Sequence, residues 1–94
     1  MQKITEESRD AFLECRYFKK ANMLVKDRAM YLYGNKIAWW TGGKIWIAHC
    51  GYKTKTTKDR LNALPNVQIV QRKGDWFLNG QLWNGKPICI SNFK

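Results

Sequence analysis

The stretch Ala29-Met30-Tyr31-Leu32-Tyr33-Gly34-Asn35-Lys36-Ile37-Ala38-Trp39-Trp40-Thr41-Gly42-Gly43-Lys44-Ile45-Trp46-Ile47-Ala48-His49 sets the fold. Three runs rich in aromatic and aliphatic residues are separated by Gly34-Asn35 and by Thr41-Gly42-Gly43. Short glycine-containing loops between such runs are hairpin signals. The stretch therefore reads as a three-stranded antiparallel meander. Met23 to Lys26 offers a short further strand at its edge.

Upstream lies a helical pattern. Glu6, Glu7 and Asp10 follow Thr5, a residue type that caps helices, and acidic side chains complement the positive end of the dipole. Ala11, Phe12, Cys15 and Phe18 share one face at helical spacing. The pattern predicts a helix over 5–17. Downstream, Thr56 followed by Asp59 approximates a capping box. Leu61 and Leu64 form an i, i+3 apolar pair and Pro65 stops the run, which predicts a helix over 57–64. Residues 67–72 and 75–79 then read as a C-terminal hairpin around Lys73-Gly74. Asn79-Gly80 and Asn84-Gly85 supply tight turns, and 88–90 a last short strand. Strand runs with only two short helices define an α+β class, one small domain over 1–94 with an antiparallel sheet of meander and hairpin.

The chain has 94 residues, 17 Lys plus Arg and 7 Asp plus Glu, for a formal net charge of +10. That length allows one modest core and no large substrate cavity. No apolar run reaches the ~20 residues of a membrane span, and the polar start MQKITEESRD is unlike a signal peptide. Charge is segregated: residues 1–14 carry two basic and four acidic side chains, residues 15–94 carry 15 basic and three acidic ones. A +12 body repels itself, and an acidic partner is its simplest use.

Catalytic chemistry finds no foothold. There is no phosphate-binding loop, dinucleotide fingerprint or H-E-x-x-H. Asp27, Asp59 and Asp75 each have a turn or cap to serve. Cys15, Cys50 and Cys89 are widely spaced, with His49 the single histidine, so neither a disulfide framework nor a zinc site is indicated. His49 and Cys50 are strand neighbours and point to opposite faces. The expectation is a protein that is not an enzyme and uses no cofactor and no metal.

Basic and aromatic residues form the informative pattern. Five Trp and four Tyr are more than so small a core can bury. Trp39 and Trp40 must face opposite sides of their strand. Exposed rings beside Lys and Arg suit base stacking next to phosphate contacts. The start of the second helix adds free N–H groups, hydroxyls and positive charge. The candidate nucleic-acid contacts are Tyr52, Lys53, Lys55, Thr57, Lys58 and Arg60, with Arg72 and Lys73 at the later hairpin. A purely structural reading competes at the helix, where Thr56 would cap and Arg60 would pair with Asp59.

Several strings also resemble a family of small proteins from tailed bacteriophages. They are Phe18-Lys19-Lys20-Ala21-Asn22, Tyr33-Gly34-Asn35-Lys36-Ile37-Ala38, Gly51 to Leu64 with its T-x-T-T-x-x-R-L-N element, Trp76-Phe77-Leu78-Asn79-Gly80 and Trp83-Asn84-Gly85. The resemblance spans most of the chain. One departure is Ala21-Asn22-Met23, where the pattern has Asn followed by Thr. The resemblance implies an accessory protein acting in the cytoplasm of the infected bacterium, and it carries over no catalytic residue. Two functions fit: binding nucleic acid, with RNA or single strands favoured over duplex DNA because no recognition helix is evident, or inhibiting a host or anti-phage enzyme by docking on its acidic surface. Either would serve host takeover or counter a defence. Self-association through an exposed strand edge is compatible with both.

Overall fold

A computed structural model describes residues 3–49, 51 and 53–90. Helix α1 (Lys3–Leu13) leads into five strands, β1 (Phe18–Lys20), β2 (Met23–Lys26), β3 (Ala29–Leu32), β4 (Asn35–Thr41) and β5 (Lys44–Ile47). Helix α2 (Lys55–Asn62) follows, then β6 (Ile69–Arg72), β7 (Asp75–Leu78), β8 (Gln81–Leu82) and β9 (Ile88–Cys89). Consecutive strands β1 to β5 form an antiparallel meander, and β9 returns to pair with β5, giving six strands in the order β1-β2-β3-β4-β5-β9. Strands β6, β7 and β8 form a separate antiparallel sheet of three. The α+β reading holds, with the C-terminal strands divided between two sheets.

Helix α1 is shorter than the periodicity predicts. It stops at Leu13 because Cys15 adopts the left-handed conformation, with φ 57°. The Arg16 N–H then bonds the Ala11 carbonyl at 2.8 Å and the Cys15 N–H the Phe12 carbonyl at 3.2 Å. This is a Schellman ending, usually marked by glycine. Ala11 and Phe12 keep their place in the core, while Phe18 moves onto β1. Thr5 does not cap the helix. It is buried within α1.

The cap of α2 is Thr54 rather than Thr56. The Thr57 N–H donates to Thr54 Oγ1 at 3.2 Å. The helix consequently begins at Lys55, two residues earlier than the Thr56–Asp59 pattern suggests. The first meander turn is Tyr33-Gly34 rather than Gly34-Asn35, with both residues at positive φ (52° and 80°). That is the left-handed geometry whose twist matches flanking strands. Asp27-Arg28 and Lys73-Gly74 turn the same way. Asn62 reaches from α2 to act as a surrogate strand, donating to the Ile69 carbonyl at 3.2 Å and accepting from its N–H at 2.6 Å.

The core lies between the six-stranded sheet on one side and α1, α2 and the small sheet on the other. Phe12, Met23, Val25, Met30, Ile37, Ile47, Leu61, Trp76 and Ile90 are its most deeply buried large residues. Burying a side chain of this size contributes roughly 1.5–3 kcal/mol. Trp40 closes one end, its ring 5.9 Å from that of Phe12 and its Nε1–H donating to the Phe12 carbonyl at 3.0 Å.

Candidate nucleic-acid interface

The side of the six-stranded sheet turned away from the helices is set by an irregularity in β4. The β3–β4 register shifts between Met30 and Tyr31: Met30 pairs with Ala38, but Tyr31 pairs with Lys36, leaving Ile37 as an extra residue. Such a bulge places two consecutive residues on one side. Ile37 and Ala38 are accordingly both buried. Lys36 before them and Trp39 after them emerge together on the outer side. The Lys36 ammonium lies over the Trp39 ring, 5.1 Å from its centroid, a cation–π contact worth about 0.5–1 kcal/mol at an exposed site.

Register carries this outer side across the sheet. Trp39 stands opposite Trp46 on β5, and Trp46 opposite Cys89 on β9. Lys36 stands opposite Tyr31, Tyr31 opposite Leu24, and Leu24 opposite Lys19. Lys26, Ala29 and Lys44 complete the face. Lys20 takes the other side, where its ammonium meets Glu7 of α1 at 3.4 Å. The four outward lysines, Lys19, Lys26, Lys36 and Lys44, are exposed, and Tyr31, Trp39 and Trp46 are half-buried. None of the six strands contains an Asp or Glu. The result is an aromatic surface flanked by cations.

The residues singled out in the sequence fall elsewhere. Lys53 and Lys55 are exposed and Lys58 half-buried around the start of α2, on the opposite side of the sheet from the aromatic face. Arg72 and Lys73 are exposed at the β6–β7 turn. Two candidates do not face outward. Thr57 is fully buried, its hydroxyl 3.1 Å from that of Thr54. Arg60 is 4% exposed and donates to Asp59 at 3.0 Å and to Thr5 Oγ1 at 2.6 Å. Burial between Thr5 of α1 and Asp59 of its own helix holds its guanidinium away from a phosphate at the surface. Tyr52 lies outside the described residues, as does Cys50.

The outer face was only half visible in the sequence. Alternation separated Trp39 from Trp40, but nothing in the residue string marks a bulge, so Lys36 and Trp39, an odd number of positions apart, read as facing opposite ways.

His49 has a structural setting. Its ring stands edge-on to Trp76 at 5.3 Å and to Trp83 at 5.5 Å, and its Nδ1 accepts from the Gly51 N–H at 3.0 Å. Burial first, then the charge of Lys53, pulls its pKa below 6.5, against the opposing effect of backbone hydrogen bonds. Gly85 packs directly on this ring, where a side chain would collide with it. Among the described residues, no group of three or more His, Cys, Asp or Glu gathers as a metal site. No described helix is long and apolar enough to cross a membrane.

These features define the class: a small basic α+β domain whose largest sheet turns an aromatic, lysine-flanked face outward. The chain belongs to the Kyanoviridae Gp96 protein family, a phage protein family whose model matches residues 1–94. No curated protein and no solved structure matches it.

Proposed function

We propose that this phage protein binds nucleic acid in the cytoplasm of the infected cell, through the outer face of the six-stranded sheet. One observation carries the reading: the Lys36 ammonium against the Trp39 ring, on a face with four lysines and no strand carboxylate. Aromatic rings offer stacking to any base, and lysines neutralise the phosphates between bases. A single strand, RNA or DNA, can expose its bases to such a surface. A duplex keeps them stacked inside, and both helices here are short and packed against the core, so neither is placed to read a major groove. Lys53, Lys55 and Lys58, with Arg72 and Lys73, lie away from this face and would add long-range attraction rather than direct phosphate contacts.

Fluorescence anisotropy with a labelled oligouridylate tests the reading. Four lysine–phosphate contacts on a single strand predict a log–log salt slope of about −3. Lys36→Glu with Lys44→Glu should abolish binding without unfolding the domain. Equal binding by this variant would remove the sheet face from the reading.

A second reading, docking on an acidic host or anti-phage enzyme, draws on another surface. Val70, Phe77 and Leu82 stand side by side across the small sheet, with Val70 40% and Leu82 68% exposed and Arg72 beside them. Apolar and Arg side chains of this kind suit a protein contact. A tagged pull-down from infected cells, split with and without nuclease, separates the two. A stoichiometric protein retained after nuclease supports docking, whereas material released wholly by nuclease supports nucleic-acid binding.

A further inference from the structure

The outward rings occupy three consecutive strands: Tyr31 on β3, Trp39 on β4 and Trp46 on β5. Trp39 and Trp46 are direct cross-strand partners, and Tyr31 is the diagonal neighbour of Trp39, beside Lys36. The row therefore runs across the strands, one ring per inter-strand step of about 4.8 Å. It also ends there. The outward residues of β2 are Leu24 and Lys26, that of β1 is Lys19, and that of β9 is Cys89, so none adds a ring.

Resting on the nucleic-acid reading, we infer that the ligand is a single strand laid across β3–β5 with three bases in contact, and that Lys36 is displaced when it binds. The displacement follows from geometry. The Lys36 ammonium already occupies one face of the Trp39 ring. A base cannot stack on that face until the ammonium leaves. A strand that brings the base also brings a phosphate beside it, and the lysine stem is long enough to exchange the ring for the phosphate. In the free protein the lysine keeps the indole covered; in the complex it becomes one of the phosphate contacts. A duplex, whose bases have no free faces, would leave Lys36 on the ring. The face would then discriminate by whether a base is available to expel it.

The test is a length series of oligouridylates and oligothymidylates against the full chain, together with the matching duplex, with affinities corrected for the number of binding registers. The inference expects affinity to level off at roughly three to four nucleotides, at the short end of single-strand sites, and the duplex to bind far more weakly. Trp39→Ala should weaken single-strand binding about ten- to a hundredfold. Lys36→Met, which keeps an apolar stem and loses the charge, should make the salt slope shallower by about 0.7. Affinity that keeps climbing well past that length, a duplex that binds equally, or an unchanged slope in Lys36→Met would overturn the inference and leave nucleic-acid binding standing. No binding at any length would instead remove the reading on which it rests.

Discussion

Thr5 of α1 and Asp59 of α2 are 54 positions apart in the chain, and the Thr5 hydroxyl donates to the Asp59 carboxylate at 2.6 Å. The same hydroxyl accepts from Arg60 at 2.6 Å. One buried threonine thus joins an acid and a base of the other helix. The contact fixes how α1 sits against α2, and it withdraws Arg60 from the surface.

Thr5→Val removes this junction with little change in volume. It should destabilise the domain by about 1–2 kcal/mol, since the hydrogen bonds involve charged partners. Asp59→Ala should cost about 1–3 kcal/mol; Asp59 is partly open to solvent, which limits the loss. The double variant should cost less than the sum of the two. Urea unfolding of the four proteins measures this, and simple additivity would mean the junction is not shared.

Gly85→Ala should be among the most damaging small substitutions. Gly85 has φ +88°, and an added Cβ would meet the His49 ring. Left-handed strain alone costs on the order of 1–3 kcal/mol, and displacing the ring from Trp76 and Trp83 adds to it. Thermal melting should show a clear loss, accompanied by a change in tryptophan emission. Gly80→Ala, which has open space around it, should lose only the strain.

Stability should also respond to pH through His49. Its pKa in the folded state lies below 6.5 because burial disfavours the imidazolium. The unfolded chain therefore takes up a proton first as the pH falls. Stability is full above the unfolded value, declines as the pH drops through 6.5 towards the folded pKa, and levels off below it. His49→Phe should flatten that part of the profile. A slope unchanged by the substitution would assign it to other groups.

Charge reversal separates the two basic surfaces. Lys44→Glu on the sheet face should reduce oligonucleotide affinity by an order of magnitude or more. Lys55→Glu at α2 should have a weaker effect, since α2 packs on the opposite side of the sheet. Anisotropy titrations at fixed salt compare them directly, and a larger loss in Lys55→Glu would shift the interface to the helix.

What the residue string disclosed follows from what is periodic in it. The meander was legible because glycine-containing turns interrupt runs of β-forming residues, and α2 because Leu61 marks its buried face and Pro65 forbids its continuation, although the helix ends at Asn62, two residues short of the expected 64 and before Leu64. Cys15 ended α1 early through backbone conformation, which its residue type does not advertise. Strands β1 and β8 have three and two residues, too short to show alternation. The basic character of the site was legible as charge counts, but its location was not. Arg60 looked like a phosphate ligand in sequence because its partner Thr5 lies so far away along the chain.

The bulge in β4 has a genetic consequence. The side on which a residue of that strand emerges depends on the residue count and on the bulge together. Removing Ile37 alone would abolish the bulge and restore strict alternation, with Lys36 and Trp39 two positions apart and still on one side of the sheet. A three-base deletion at this codon would therefore keep the outer face and take one buried side chain from the core, whereas ironing out the bulge with Ile37 retained would turn Lys36 to the opposite side from Trp39. Among relatives, the spacing between the lysine and the first tryptophan of this strand should tell whether the strand carries the bulge, three positions with it and two without, the face being the same in both.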